Sequence, residues 1–407
     1  MPEVIHKSRS ILCSILAGGV LLAIAGVASA QVSRDRVLID DALERHVVGN
    51  IRFESDEIAF ERGGVEERLP LDGSVVAVVE PSDRAPRPRD SWVELTDGQR
   101  LIGAPLILGS AEVAALTEAT GEPGLVWSTP LMGSVRVPLD ALRRVVLREG
   151  VAQAPHDDLN DVLVLNNGDR TRGLLERLWP NIVLDVDGQL RTFELSAVSS
   201  ITLANTAAER TGSRVWLSDG SVIGVDSIET TSDGIRIAPA RPVALAGRDQ
   251  AVVTMDEILA VAFESGGVRP LADLGMPEWE ALSSWALPPV VEDADQVLLG
   301  AARIELIGPV VASWELPEGV RRVALRARLR DDCRIWGDCE VSVVVGNRPA
   351  TVARLHGDSP DAAFTVDLPA DATGGQLSIR IDEGRNGAIQ DRVMIEGFVL
   401  LSNRANQ

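Results

Sequence analysis

Three short stretches of this chain have nearly the same sequence: LTDGQRLIG at residues 95–103, LNNGDRTRG at 165–173 and LSDGSVIG at 217–224. Asp-Gly or Asn-Gly between alternating apolar residues predicts a β-hairpin with a type I′ turn, which requires positive φ at both central positions. The first glycine of each phrase is therefore predicted to have positive φ: Gly98, Gly168 and Gly220. The second glycine predicts a bulge or sharp bend in the following strand. These second glycines are Gly103, Gly173 and Gly224.

A second phrase follows each hairpin, as VPLDALRRVVL (137–147), FELSAVSSITL (193–203) and VTMDEILAVAF (253–263). In each, a strand end leads into a polar residue suited to cap one helical turn, after which a short apolar strand follows. These polar residues are Asp140, Ser196 and Asp256. LPLDGSVVAVV (69–79) has a similar layout and follows a hairpin without the glycine phrase.

The two phrases together define four repeats, each reading as strand, turn, bent strand, strand, strand, helical turn and strand. We place them at residues 36–80, 91–148, 161–205 and 213–264, with Pro-, Gly- or charge-rich linkers between them. This order resembles that of SH3-like and Sm-like five-stranded domains, which implies four small β-barrels. Trp92 and Trp216, at matching positions before two of the hairpins, are predicted to lie in the barrel cores.

Residues 1–30 have the features of a secretory signal peptide. A basic start at Lys7 and Arg9 precedes an apolar run over residues 11–28, and Ala28-Ser29-Ala30 is an A-x-A site. We expect cleavage after Ala30, the alternative being an uncleaved anchor helix. No later stretch approaches the roughly 20 apolar residues of a membrane helix. The chain is therefore expected to be exported, periplasmic or extracellular, with no membrane insertion after cleavage.

After Pro270 the pattern changes to long alternating strands that end near the terminus, which predicts a β-sandwich of jelly-roll type. The motifs are PLADLGMPEW (270–279), VALRARLRDD (323–332), EVSVVVGNRPA (340–350) and QLSIRIDEGRNGAIQDRVMIEGFVLL (376–401). On these motifs, residues 270–403 resemble the NPCBM family, the carbohydrate-binding modules found with family 98 glycosyl hydrolases. The resemblance implies a galactose-binding-like sandwich that recognises sugars through loops at one rim.

Within this region, the two cysteines that follow the leader, Cys333 and Cys339, are predicted to form a disulfide closing a short loop, two buried free thiols being the alternative. Trp336 lies between them, either offered to a ligand or packed over the disulfide. If the module binds glycan, the site is predicted where the CRIWGDC and EGRNGAIQD loops meet. Trp336 would stack on a pyranose ring there. The hydrogen-bonding groups would come from Arg385, Asn386 and Asp391.

The sequence carries no arrangement typical of a catalytic or metal centre. The histidines after the leader, His46, His156 and His356, are scattered and interpreted as surface residues. Asp382, Glu383 and Asp391 could hold Ca²⁺, although turn and strand-start residues explain them more simply.

The formal net charge of −21 argues against nucleic acid as a partner. We therefore predict a non-catalytic exported protein that binds glycan through its C-terminal module, with the repeats as spacer or protein-contact surface. The alternatives are a structural or assembly protein of the cell envelope without sugar binding, and a glycan-active hydrolase.

Overall fold

The computed structural model describes residues 35–81, 86, 91–106, 124–148, 154–178, 181–264, 267–291, 298–346, 348–368 and 375–402. The predicted signal peptide lies outside these residues. The described part of the chain is all-β, with several antiparallel sheets and short 3₁₀ turns in place of α-helices. In these residues no helix has the length and apolar character needed to span a membrane.

The region before Pro270 contains four groups of strands. The first group is β1 (Arg36–Asp40), β2 (Arg45–Phe53), β3 (Glu57–Arg62), β4 (Val65–Pro70) and β5 (Val75–Val79). The second is β6 (Trp92–Leu95), β7 (Arg100–Ile102), β8 (Ala104–Pro105), β9 (Gly124–Thr129), β10 (Gly133–Pro138) and β11 (Leu142–Val146). The third is β12 (Asp161–Leu165), β13 (Arg170–Arg177), β14 (Ile182–Val186), β15 (Gln189–Phe193) and β16 (Val198–Thr202). The fourth is β17 (Ser213–Leu217), β18 (Val222–Thr231), β19 (Gly234–Pro239), β20 (Ala244–Leu245), β21 (Ala251–Val253) and β22 (Ile258–Ala262).

The strands pair in the same order in every group. The last strand pairs with the first, and the meander then continues antiparallel, as in β5–β1–β2–β3–β4 and β16–β12–β13–β14–β15. In the second group the bent strand is divided into β7 and β8, and in the fourth the closing pair of the meander is β19–β21. Buried side chains of all four groups form one contiguous hydrophobic cluster that includes Leu38, Val93, Leu163 and Val215. The four groups of strands therefore share one pairing order.

The hairpin glycines have the predicted positive φ, at +79° for Gly98, +88° for Gly168 and +96° for Gly220. The predicted type I′ turn is wrong, because Asp97 and its counterparts do not have positive φ. The loop has three residues: Gly98 N–H donates to the Leu95 carbonyl at 3.0 Å, and Leu95 N–H donates to the Gln99 carbonyl at 2.8 Å. This is the pattern of a hairpin loop that ends in a left-handed glycine.

Hydrogen bonds accepted by the loop side chain explain this choice of turn. Asp97 Oδ1 accepts from the Gln99 N–H at 3.1 Å, and Asp219 Oδ1 accepts from the Ser221 N–H at 2.8 Å. Such a side-chain acceptor stabilises a turn two residues ahead without requiring positive φ at its own position. The sequence pattern thus predicted the hairpins and the glycine φ values correctly but assigned the wrong loop length.

The second glycine of each phrase lies where a strand changes partner. Gly173 pairs with Asp161 of β12, and the next residue, Leu174, pairs with Asp185 of β14. A Cβ on Gly173 would lie 2.1 Å from the carbonyl oxygen of Asp185. At the equivalent Gly103, between β7 and β8, a Cβ would lie 1.9 Å from a carbonyl oxygen of β9. Only glycine allows these crossing strands to approach so closely.

The predicted helical turns are present as 3₁₀ turns at Leu139–Ala141, Leu195–Ala197 and Met255–Glu257. The predicted capping residues do not cap them, because each lies at the centre of its turn. The positions that precede the turns are Pro138, Glu194 and Thr254. Each turn also accepts a hydrogen bond from the hairpin loop of its own group, as in Thr96 N–H to the Ala141 carbonyl at 2.8 Å.

The remaining strands form two facing antiparallel sheets. They are β23 (Val268–Pro270), β24 (Glu278–Ala281), β25 (Leu287–Val291), β26 (Ile304–Ile307), β27 (Val310–Glu315), β28 (Val320–Leu329), β29 (Asp338–Val345), β30 (Arg348–His356), β31 (Asp361–Asp367), β32 (Gln376–Glu383) and β33 (Arg392–Ser402). One sheet has the order β25-β26-β33-β28-β31, with β23 also paired to β33, and the other has the order β24-β27-β32-β29-β30. Short 3₁₀ turns lie at Leu271–Leu274, Leu298–Gly300 and Asp331–Cys333. The two sheets enclose one core, in which Trp314 and Phe398 pack edge to face with 5.5 Å between ring centroids.

The sandwich packs against the first and fourth groups through a separate apolar cluster. Trp216 and Val79 from the groups belong to the same cluster as Leu298, Val399 and Leu401 of the sandwich. Trp216 is 8% exposed, so it is buried as predicted, but it lies in this cluster and not in the common core of the four groups. Trp92 likewise packs in a small cluster with Ile102 and Val146.

Because Gly173 is needed for close approach and Gly168 only for positive φ, the two should respond differently to alanine. We expect Gly173→Ala to cost about 2 kcal/mol or more, as overpacking against backbone does. Gly168→Ala should cost about 1 kcal/mol, since its Cβ meets nothing within 4 Å. Thermal unfolding of the two variants checks this. Equal melting temperatures, or a lower one for Gly168→Ala, would contradict the close approach seen at Gly173.

Candidate functional site

Five loops lie side by side at one end of the sandwich. They connect β24 to β25, β26 to β27, β32 to β33, β28 to β29 and β30 to β31. Each loop joins a strand of one sheet to the strand that has the same place in the order of the other sheet. We call this row of loops the rim, made of residues 282–286, 308–309, 384–391, 330–337 and 357–360. The sandwich residues that pack on the strand groups, such as Val399 and Leu401, lie at the other end of their strand. The rim therefore faces away from the four groups.

Asp338 ties two rim loops together. Its side chain receives both ends of the Arg354 guanidinium, with Nε at 2.6 Å from Oδ1, and its Oδ2 also accepts the backbone N–H of Arg385 at 3.0 Å. Its carbonyl accepts the Gly384 N–H at 2.7 Å. Hydrogen bonding with Arg354 holds the pKa of Asp338 below its usual range, so the carboxylate is charged. The loops 330–337 and 384–391 are thus fixed by one buried residue that the sequence analysis did not select.

The two predicted glycan-contact residues Trp336 and Asn386 are adjacent. The Asn386 side-chain amide donates to the Trp336 carbonyl at 3.0 Å. Trp336 is 59% exposed, and Arg385 and Asn386 are exposed beside it. The predicted requirement that the two loops meet is satisfied, while sugar contact at these residues stays a prediction.

Asp391, predicted as a fourth contact residue, ends the rim loop 384–391 and is buried. It is 1% exposed, and its Oδ1 accepts the backbone N–H of Asp338 at 3.1 Å. Its Oδ2 is buried without a hydrogen-bond partner. Burial, together with the nearby charges of Asp338 and Glu383, raises the pKa of Asp391 to about 7. At this position Asp391 supports the loop and is not available to a ligand.

The predicted disulfide is not formed, and Cys333 and Cys339 are both buried free thiols. Cys339 points into the sandwich core with Val341 and Val343, as the alternation of β29 dictates. Cys333 ends the 3₁₀ turn before the loop, where its thiol contacts the Asp332 carboxylate at 3.5 Å. Burial raises the pKa of both thiols. Backbone and side-chain hydrogen bonds, and not a disulfide, hold the loop of Trp336.

Trp285 is an exposed aromatic residue of the rim that the sequence analysis missed. It is 73% exposed and lies in the loop between β24 and β25. That loop is bonded to its neighbour, since Leu282 N–H donates to the Pro309 carbonyl at 3.1 Å and Gly308 N–H to the Asp391 carbonyl at 2.9 Å. No local motif marks Trp285; only the strand order shows that it shares the rim with Trp336.

The residues considered for calcium do not form a site. Asp382 is paired with Arg380 through both carboxylate oxygens, at 2.6 and 2.8 Å, and Asp391 is buried. Within the described residues, one group of three potential metal ligands comes together, formed by Asp40, Glu44 and His46. Asp40 there already accepts two backbone N–H groups and contacts His46 Nε2 at 2.8 Å. This arrangement is that of a hydrogen-bonded turn.

No protein-family model matches the chain, and no curated protein matches it. Among solved structures, it is similar to a CBM51 module from Clostridium perfringens GH95 in complex with methyl-galactose, with a TM-score of 0.26 and 9% identity over 33% of this chain and 99% of that one. It is similar to the tandem CBM51 modules of Sp3GH98, the family 98 glycoside hydrolase of Streptococcus pneumoniae SP3-BS71, with a TM-score of 0.27, 10% identity and coverage of 90% and 88%. A third match is CBM51-2 in complex with GlcNAc and INT domains of Clostridium perfringens ZmpB, with a TM-score of 0.29, 11% identity and coverage of 44% and 40%. TM-scores this low do not assign the chain to a family.

The buried carboxyl group of Asp391 should make stability depend on pH. Its folded pKa is raised above the unfolded value of about 3.9, so between about pH 4 and 7 the unfolded chain loses this proton while the folded chain keeps it. Stability should therefore fall with rising pH across this window, by roughly 1.4 kcal/mol per unit, and level off above it. Asp391→Asn keeps the acceptor for Asp338 N–H and has no charge to lose.

Urea unfolding of the wild type and Asp391→Asn at pH 5 and pH 8 measures this effect. The urea midpoint of Asp391→Asn minus that of the wild type should be larger at pH 8 than at pH 5. The other titrating groups are common to both proteins, so their effects cancel in this difference. A difference that is the same at both pH values would show that Asp391 is ionised throughout.

The thiol chemistry gives a second test of the loop. Since the thiolate is the reactive form and burial disfavours it, iodoacetamide should leave Cys333 and Cys339 unmodified in the native protein. In urea without reductant, both should be alkylated, which peptide mapping detects. Protection that persists in urea until reductant is added would mean that a disulfide had formed.

Proposed function

We propose that this is an exported, non-catalytic protein whose C-terminal sandwich binds a neutral carbohydrate at the rim. The observation that carries the proposal is Trp336, an aromatic ring that is 59% exposed on a loop held by hydrogen bonds at both sides. An aromatic ring held at the surface keeps its apolar face available for contact with a ligand. A flat apolar surface beside polar donors is suited to a pyranose ring with its hydroxyl groups.

Rigidity of the rim supports this proposal. Asp338 is 5% exposed and bonds the Arg354 guanidinium and the backbone of Arg385. Asn386 is held against the Trp336 carbonyl at 3.0 Å. Loops fixed in advance lose little conformational entropy on binding, which matters for ligands that offer few apolar contacts.

The charge of the chain limits the kind of ligand. At a net charge of −21, the protein repels anionic polymers at long range, so nucleic acid and acidic polysaccharides are disfavoured. Near Trp336, the acidic Asp331 and Asp332 are paired with Arg334 and Arg330 at 2.7 and 2.9 Å. A neutral glycan is therefore the class of ligand that this rim accommodates best.

We infer further that the sandwich is a galactose-binding-like jelly roll of the NPCBM type, and that each strand group closes as a small barrel. Pairing of the last strand with the first and the bend at the second glycine support the barrel interpretation. The groups would then act as a spacer or protein-contact surface that presents the rim away from the rest of the protein. Export would follow from the leader at residues 1–30.

The test of the proposal is glycan binding by the mature chain on an array of neutral and acidic glycans. Trp336→Ala should weaken binding at least about fivefold, corresponding to about 1 kcal/mol for a lost aromatic contact. Its melting temperature should change little, because an exposed side chain fills little core. Trp279→Ala, which removes another exposed tryptophan outside the rim, is the matched control.

The array also separates the alternatives. Absence of binding to every glycan would refute the carbohydrate proposal and favour an envelope structural protein. Equal weakening by Trp336→Ala and Trp279→Ala would mean that the rim is not the site.

A further inference from the structure

We propose that the rim binds an extended oligosaccharide laid across its loops, with Trp336 and Trp285 as two separate stacking positions. This inference rests on the proposed carbohydrate function and adds the class of ligand, a glycan chain and not a single terminal sugar. The rim carries both of these exposed tryptophans, and the other exposed tryptophan of the described residues, Trp279, lies within β24.

The strand order sets the separation of the two loops that carry the tryptophans. Trp285 is in the first loop of the row and Trp336 in the fourth, so three strand spacings lie between their loops. Neighbouring strands are ~4.8 Å apart, which makes this distance about 14 Å. A single pyranose ring is too small to contact both tryptophans at that separation, whereas a chain of several rings contacts both.

The loops between the two tryptophans differ in length. The second loop of the row has only two residues, Gly308 and Pro309, while the third loop, 384–391, has eight. A loop of two residues can extend less far beyond the strand ends than its longer neighbours. The third loop then offers Arg385, Asn386 and Gln390, which are exposed and supply hydrogen-bond donors and acceptors for sugar hydroxyl groups.

Hydrogen bonds link the rim loops that carry the two tryptophans. The loop of Trp285 bonds to Pro309, Gly308 bonds to the Asp391 carbonyl, and Asp391 bonds to Asp338 at the base of the Trp336 loop. Every link is a backbone or buried contact. The spacing of the two loops that carry the tryptophans is therefore fixed by the folded sandwich.

Calorimetry of the mature chain with two ladders of neutral sugars, β-1,4-linked galactose and β-1,4-linked N-acetylglucosamine from one to six units, tests this inference. We expect affinity to rise with chain length in the ladder that binds. Trp285→Ala should weaken the longest sugar roughly fivefold and the monosaccharide less than twofold, whereas Trp336→Ala weakens both. Trp285→Phe, which keeps a ring, should retain most of the gain with length, and Trp279→Ala should change nothing.

The outcomes distinguish failure of the extended site from failure of the carbohydrate proposal. Equal affinity for one and six units, with loss only in Trp336→Ala, would overturn the extended site and leave the carbohydrate proposal intact. If neither ladder binds at any length, both are refuted for these neutral sugars. Melting temperatures of the variants identify any loss that comes from unfolding.

Discussion

Backbone pairing between the last strands of the groups is the interaction on which the rest of this structure depends. β11 pairs with β16, and β5 pairs with β22, both antiparallel. In each pair the fourth residues of the two strands face each other, Val145 with Ile201 and Val78 with Val261. Each last strand thus has its own first strand on one side and a neighbouring group on the other. No edge is left open there, and unpaired buried backbone groups would be costly.

This pairing joins the first group to the fourth and the second group to the third. The first and fourth groups are far apart in sequence, yet β5 and β22 are adjacent, and the apolar cluster that receives Leu298 and Leu401 includes residues from both. Contacts between the second and fourth groups complete the assembly, as where Gln99 Oε1 accepts the Gly224 N–H at 2.7 Å. The position of the sandwich therefore follows from which groups pair, and not from the linker that precedes it.

The local features of this fold could be predicted from the sequence, but the pairing between strand groups could not. The turn glycines and the bends at Gly103 and Gly173 were predictable, because φ and close approach are requirements that one residue type meets. The loop length was not predictable, because the same sequence is compatible with a type I′ turn and with a three-residue loop. The hydrogen bond that Asp97 Oδ1 accepts from the Gln99 N–H favours the three-residue loop. The pairing of β5 with β22 depends on matching edges between distant segments, which no local pattern encodes.

In the candidate site, too, some residues could be predicted from the sequence and others could not. Trp336 and Asn386 were predicted together because both belong to loops between long strands of one sandwich. Asp338 and Trp285 were missed, since the role of each depends on which loops become neighbours. The cysteine spacing suggested a disulfide, but the alternation of β29 turns Cys339 into the core, and that alternation is set by the whole sheet.

Two buried carboxyl groups, Asp338 and Asp391, lie at the rim end of the sandwich. Asp338 and Asp391 are 5% and 1% exposed, and the charge of Asp338 contributes to the raised pKa of Asp391. An ionised Asp391 therefore opposes folding, because like charges repel where water is scarce. Arg354 offsets the charge of Asp338 but not that of Asp391. A sandwich that needed only stability would place apolar residues there, as it does throughout its core. Polar networks that cost stability and fix geometry are common beneath binding sites, where loops must be held in one arrangement. The location of this network, directly under Trp336 and Asn386 and at the end facing away from the strand groups, makes precise positioning of the rim its physical consequence.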